Sequence, residues 1–80
     1  MLRTEIFARL HDVFLEVFDL DVNLEDATTA DDVEGWDSVS HIRLILTVEK
    51  EFAVRFAAAE VGMLGNVGEL VDLIAAKIGS

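Results

Sequence analysis

Gly35-Trp36-Asp37-Ser38-Val39-Ser40-His41-Ile42 runs without a break into Arg43-Leu44-Ile45-Leu46-Thr47-Val48-Glu49-Lys50-Glu51-Phe52. A polar, acid-rich loop ends here and a long apolar-periodic helix begins. Ser38 stands at the junction. A serine there sits at a helix N-terminus, with its hydroxyl free and unpaired backbone N–H groups beside it. The positive end of the helix dipole favours a new negative charge, which suits a hydroxyl that is to carry a phosphate. The commonest use of a serine at such a junction is a plain N-cap, so the residue has to be weighed with its surroundings.

Upstream, Ile6, Leu10, Val13 and Val17 recur at helical spacing, and Phe7, Phe14 and Phe18 widen the stripe, which predicts a first helix over about 4–18. The period is lost from Asp19 to Asp37, a loop long enough to suggest a function. Leu20, Val22, Leu24 and Val33 are expected to pin it to the core, with a short helical turn near Asp31 to Val33. Asp19, Asp21 and Asn23 match the first three ligand positions of an EF-hand, but the glycine position holds Leu24 and the closing glutamate position holds Ala30. Without the bidentate acid the cage is incomplete, and no metal site is expected.

Downstream, a second helix is expected over 38–52. Val39, Ile42, Ile45, Leu46, Glu49 and Phe52 form its stripe, Leu44 and Val48 broaden it, and Ser40, His41, Arg43, Thr47 and Lys50 are left for solvent or partners. A short, weak third helix is expected over 57–64, because Gly62 lowers its propensity. Gly65-Asn66 ends it. Asn66 then caps a last helix over 67–78, with Glu69 completing a capping box and Gly79 as the stop. The buried face of that helix is expected to hold Val67, Leu70, Val71, Leu73, Ile74 and Ile78.

The chain has 80 residues, 52% of them hydrophobic, and a net charge of −10. That is one domain with one small core. The charge argues against nucleic acid, which needs a basic face. It suits either plain solubility or docking onto basic patches of partner proteins. No apolar run approaches the roughly 20 residues that span a bilayer. The first residues lack a signal-peptide pattern, so a cytoplasmic monomer without membrane insertion is expected. Cysteine is absent, which leaves no disulfide, no zinc–thiolate site and no thiol of the chain's own.

Asp37-Ser38-Val39 at a helix start, the run ending Glu49-Lys50-Glu51-Phe52, and Asn66-Val67-Gly68-Glu69-Leu70 opening the last helix resemble the acyl carrier proteins and, more distantly, the peptidyl carrier proteins. In that family the corresponding stretches read Asp-Ser-Leu, Glu-x-x-Phe and Thr-Val-Gly-Asp-Leu. The resemblance covers almost the whole chain. It implies an all-α four-helix bundle with a long loop between the first two helices and a short third helix. It implies a carrier that is no enzyme, with 4′-phosphopantetheine from coenzyme A attached to Ser38 by a phosphopantetheinyl transferase. The partners implied are that transferase and the enzymes that load and transfer acyl groups. An unmodified interaction subunit of the same fold and a peptidyl or aminoacyl carrier are the alternatives.

By resemblance, Asp37, Trp36 and Val39 join Ser38 at the attachment site. Trp36 belongs to a Gly-Trp-Asp-Ser subgroup, and its simplest role is a lid over the loop–helix junction. Gly35 permits the tight entry. Ser40, His41, Arg43 and Glu60 are expected partner contacts. His41 falls on the Ser38 face, yet a Ser-His-Asp hydrolase would need an oxyanion hole held from several segments, and that reading is rejected. Leu44, Ile45, Leu46, Phe52, Phe56, Met63 and Leu64 are candidates for lining an acyl pocket between the second and third helices. Family members of fatty-acid synthesis carry acids two and five residues after the serine; here Ser40 and Arg43 stand there. A specialised fatty-acid, lipid or polyketide-type pathway with dedicated enzymes is therefore expected.

Overall fold

The computed structural model describes residues 1–79. Its elements are α1 (Arg3–Phe18), a 3-10 turn (Ala30–Asp32), α2 (Ser38–Phe52), α3 (Ala58–Gly62) and α4 (Val67–Lys77). All described regular structure is helical. α1 packs on both α2 and α4. No helix is long and apolar enough to cross a membrane.

α1 buries Ile6, Leu10, Val13, Phe14 and Val17, the stripe that its spacing predicts. Asp19 ends it in the left-handed region at φ 56°, which aspartate tolerates better than most side chains. The core continues through Leu44, Val48, Leu70, Val71 and Ile74, all fully buried or nearly so. Such burial, at roughly 1.5–3 kcal/mol per large apolar side chain, is what offsets the chain entropy lost on folding.

α2 buries only part of the apolar stripe expected of it, the side that Leu44 and Val48 broaden. Leu44, Ile45, Val48 and Phe52 are buried, whereas Val39, Ile42 and Leu46 are exposed. The helix is apolar on so many sides that two phases satisfy the same spacing. Contact with α1 selects one of them. Glu49, half-buried at the edge, accepts the Phe56 N–H at 2.8 Å.

The long loop is held by three of the four apolar pins expected of it and by hydrogen bonds to α4. Val33 is buried and Val22 and Leu24 pack against the core, but Leu20 is exposed. The first two amides of α4 donate to loop carbonyls, Val67 to Thr28 at 2.8 Å and Gly68 to Asp26 at 2.9 Å. A Cβ at Gly68 would stand 2.9 Å from that Asp26 oxygen, so the close approach requires glycine. The Arg3 guanidinium pairs with Asp26 and Asp72, tying α1, loop and α4 together. Asn66 caps α4 by accepting the Glu69 N–H at 2.8 Å; the Glu69 carboxylate takes the Gly65 N–H at 2.7 Å, not that of Asn66, so the expected box closes one residue early. Leu73 and Ile78 are only half-buried on α4.

α3 is shorter than expected. Its first turn is held by Glu60, whose carboxylate accepts the Ala57 N–H and pairs with Lys77 of α4, each contact drawing the Glu60 pKa down. Asp21, one of the EF-hand-like acids, bonds His11 instead, and among the described residues no group of acids and histidines is arranged to hold a metal ion.

The His11–Asp21 contact has a pH consequence. The hydrogen bond to Asp21 raises the His11 pKa, with charge attraction to Asp21 and Asp12 adding and partial burial opposing. A raised folded pKa stabilises the protein below the unfolded value of about 6.5 and loses that contribution as pH climbs through the folded value. Melting temperature is therefore expected to fall as pH rises above about 6.5, and His11→Gln is expected to flatten that slope. An unchanged slope in the variant would remove His11 as the cause.

Candidate functional site

The site is built where the loop enters α2. Gly35 turns the chain at φ 88°, a conformation a side chain would strain. Asp37 is the N-cap: its Oδ1 accepts the N–H groups of Val39 at 3.0 Å and Ser40 at 2.9 Å. Ser40 replies from the third position. Its Oγ accepts the Asp37 N–H at 2.8 Å and donates to the Gly35 carbonyl at 2.5 Å. The Ser40 amide and then its hydroxyl hold the Asp37 carboxyl below the usual range, against partial burial.

Ser38 is thereby the first residue of α2 and not its cap. Its side chain is exposed, and its hydroxyl has no hydrogen-bond partner among the described residues. The helix N–H groups expected to stand unpaired beside it are in part taken, those of Val39 and Ser40 by Asp37. Ser40, expected to meet partners, is buried in this capping network. Ser40→Ala is expected to cost about 0.5–1.5 kcal/mol in urea unfolding, since it leaves the Asp37 N–H and the Gly35 carbonyl only their 3.1 Å contact with each other; no measurable loss would contradict that accounting.

Trp36 joins the site to the core. Its indole meets Phe14 edge-on at 5.3 Å between centroids, lies 6.0 Å from Phe18, and donates from Nε1 to His41 Nδ1 at 3.1 Å. The two rings lie within 16° of parallel. His41 is thus a half-buried companion of the indole, in place of the solvated residue expected, and no Ser38–His41–Asp37 chain of hydrogen bonds exists.

An open cleft of about 380 Å³ begins at Ser38 and is walled by Trp36, Asp37, His41 and, across from them, Ala30, Val61, Gly62 and Leu64. Behind it lies a smaller cavity of about 70 Å³ reaching Leu70. That is about half of the ~150 Å³ that admits a benzene, so an enclosed acyl chain requires α3 to move. Of the residues expected to line an acyl pocket, Leu64 lines this cleft. Leu44, Ile45 and Phe52 are packed in the core, Leu46 is exposed, and Phe56 is half-buried against the core. Met63 is exposed beside a groove between α3 and α4. Ala30, Val61 and Gly62 line the Ser38 cleft without having been anticipated.

The chain is 32% identical over 79 residues to an acyl carrier protein of Thermotoga maritima, with 96% of each chain covered. It belongs to the acyl carrier protein family. The backbone superposes on the solution structure of a holo acyl carrier protein from Geobacter metallireducens with a TM-score of 0.85 and 38% identity, over 91% of this chain and 85% of that one. No family model matches the chain. Acyl carrier proteins are carriers rather than enzymes, and the prosthetic group of the family is covalent 4′-phosphopantetheine. The residues here fit such a group: an exposed, unbonded hydroxyl at the mouth of a cleft that can take the arm.

Proposed function

We propose that this acyl carrier protein bears acyl groups as thioesters on a 4′-phosphopantetheine arm joined to Ser38 Oγ. The observation that supports it is the division of labour at the α2 N-terminus: Asp37 and Ser40 complete the cap, leaving Ser38 spare and exposed. In the attachment step the Ser38 oxygen attacks the coenzyme A pyrophosphate, a new P–O bond forms, the bond to the nucleotide phosphate breaks, and the serine proton passes to a base of the transferase. Beyond that hydroxyl the carrier contributes geometry, and the base is the transferase's. Because the chain has no cysteine, the arm supplies the thiol.

Asp37 marks the site for the transferase, Trp36 and Val39 border the arm, and Arg43 and His41 contribute to partner choice. Ser40 and Arg43 replace the acids usual after the serine, which supports a specialised pathway with dedicated loading and transfer enzymes, served by a single cytoplasmic carrier domain. The test is intact mass after incubation with coenzyme A and a broad-specificity phosphopantetheinyl transferase. Gain of one phosphopantetheine is expected; no gain with several transferases would overturn the proposal.

A further inference from the structure

Six Lys and Arg stand against sixteen Asp and Glu in this chain, so every cation has acids to spare. Arg3 pairs with Asp26 and Asp72, Arg9 with Glu51, and Lys77 with Glu60. Among the described residues Arg43, Lys50 and Arg55 form no ion pair. All of them are exposed, and all lie on α2 or the connector just beyond it. At 100° per residue, Arg43 and Lys50 run along one edge of a stripe made by Val39, Ile42 and Leu46. Those apolar side chains are 70%, 61% and 59% exposed. Leu46, Lys50 and Arg55 share one shallow depression. Glu49, an acid that lines the same depression, accepts the Phe56 N–H. Scattered exposed apolar residues are ordinary. These are contiguous, on one helix, and begin at the residue after Ser38.

We infer that this face docks an arm-handling enzyme whose surface offers an apolar seat edged by carboxylates, the opposite sign to the one that a net charge of −10 suggests. The inference rests on the carrier reading of Ser38. An enzyme that works at the end of the arm must approach its root, and Val39 and Ile42 are what it meets there. Carboxylates on that enzyme find their complement in Arg43, Lys50 and Arg55. The acids of the loop, among them Asp31, Asp32 and Glu34, repel the same surface and so confine docking to α2.

The test uses holo protein, verified by intact mass, so that failure of the carrier reading appears before any docking is measured. The probes are a carrier-dependent ketosynthase with a basic docking patch and the same enzyme with the lysines and arginines of that patch changed to glutamate. Affinity is expected to be about tenfold higher for the glutamate form, and R43E/K50E/R55E is expected to reverse the preference. Ile42→Ser is expected to weaken binding to the glutamate form. If the triple variant loses helicity or takes up no arm, K50E alone, far from Ser38, is expected to move the ratio the same way by a smaller factor. A preference for the basic patch, no preference, or a ratio indifferent to these substitutions overturns the inference. So does a concentration-dependent dimer abolished by Ile42→Ser, which would assign the face to a second copy.

Discussion

Ser38→Ala is expected to take up no phosphopantetheine while melting within about 4 °C of the wild type. The first half follows from chemistry: alanine has no oxygen to attack the pyrophosphate. The second half follows from the site. The Ser38 hydroxyl has no partner among the described residues, and its side chain is exposed, so its removal strands nothing. Surface changes of that kind stay within about 0.5 kcal/mol, which for a domain of this size is a shift of a few degrees. Ser40→Ala, two residues away, is expected to show the converse: an intact attachment hydroxyl on a less stable fold. The pair separates a residue used for function from one used for structure. Mass gain on Ser38→Ala would place the arm on another hydroxyl and end the assignment.

Phe14→Ala carries the largest expected effect on the fold. The ring is fully buried and meets Phe18 and Trp36, each at 5.3 Å between centroids. Removing a buried phenylalanine costs about 3–5 kcal/mol in lost transfer energy and residual cavity. An 80-residue domain has roughly 4–12 kcal/mol in all. The melting temperature, followed by circular dichroism, is expected to fall by at least about 12 °C. The variant is also expected to loosen the attachment site, because Trp36 rests on Phe14 and walls the Ser38 cleft. A fall of less than about 4 °C would show that the core does not centre on this ring.

Helix positions were legible in the chain because their signals were local. The α1 stripe is spaced for one face only, Asn66 caps from the right distance, and Ser38 sits where periodicity resumes. The phase of α2 was not legible. With Val39, Ile42, Leu44, Ile45, Leu46 and Val48 all apolar, spacing cannot say which side meets α1. That depends on long-range packing, and it decided which residues are left exposed. The capping network was half legible: Asp37 and Ser40 have the spacing of a capping box, but serine is not the usual third-position residue. Ser40 was therefore read as surface when it is buried. The inner lining at Ala30, Val61 and Gly62 arises from two segments far apart in the chain, the 3-10 turn and α3, and no local pattern joins them.

The chain holds one tryptophan and no tyrosine, and that indole forms a wall of the cleft beside Ser38. The molecule thus comes with an optical label at its own working end. With the arm on Ser38 as proposed, its arrival, its loading and its handover are each expected to change the surroundings of a single chromophore. Its emission spectrum is then expected to follow the carrier through a whole cycle with no dye attached.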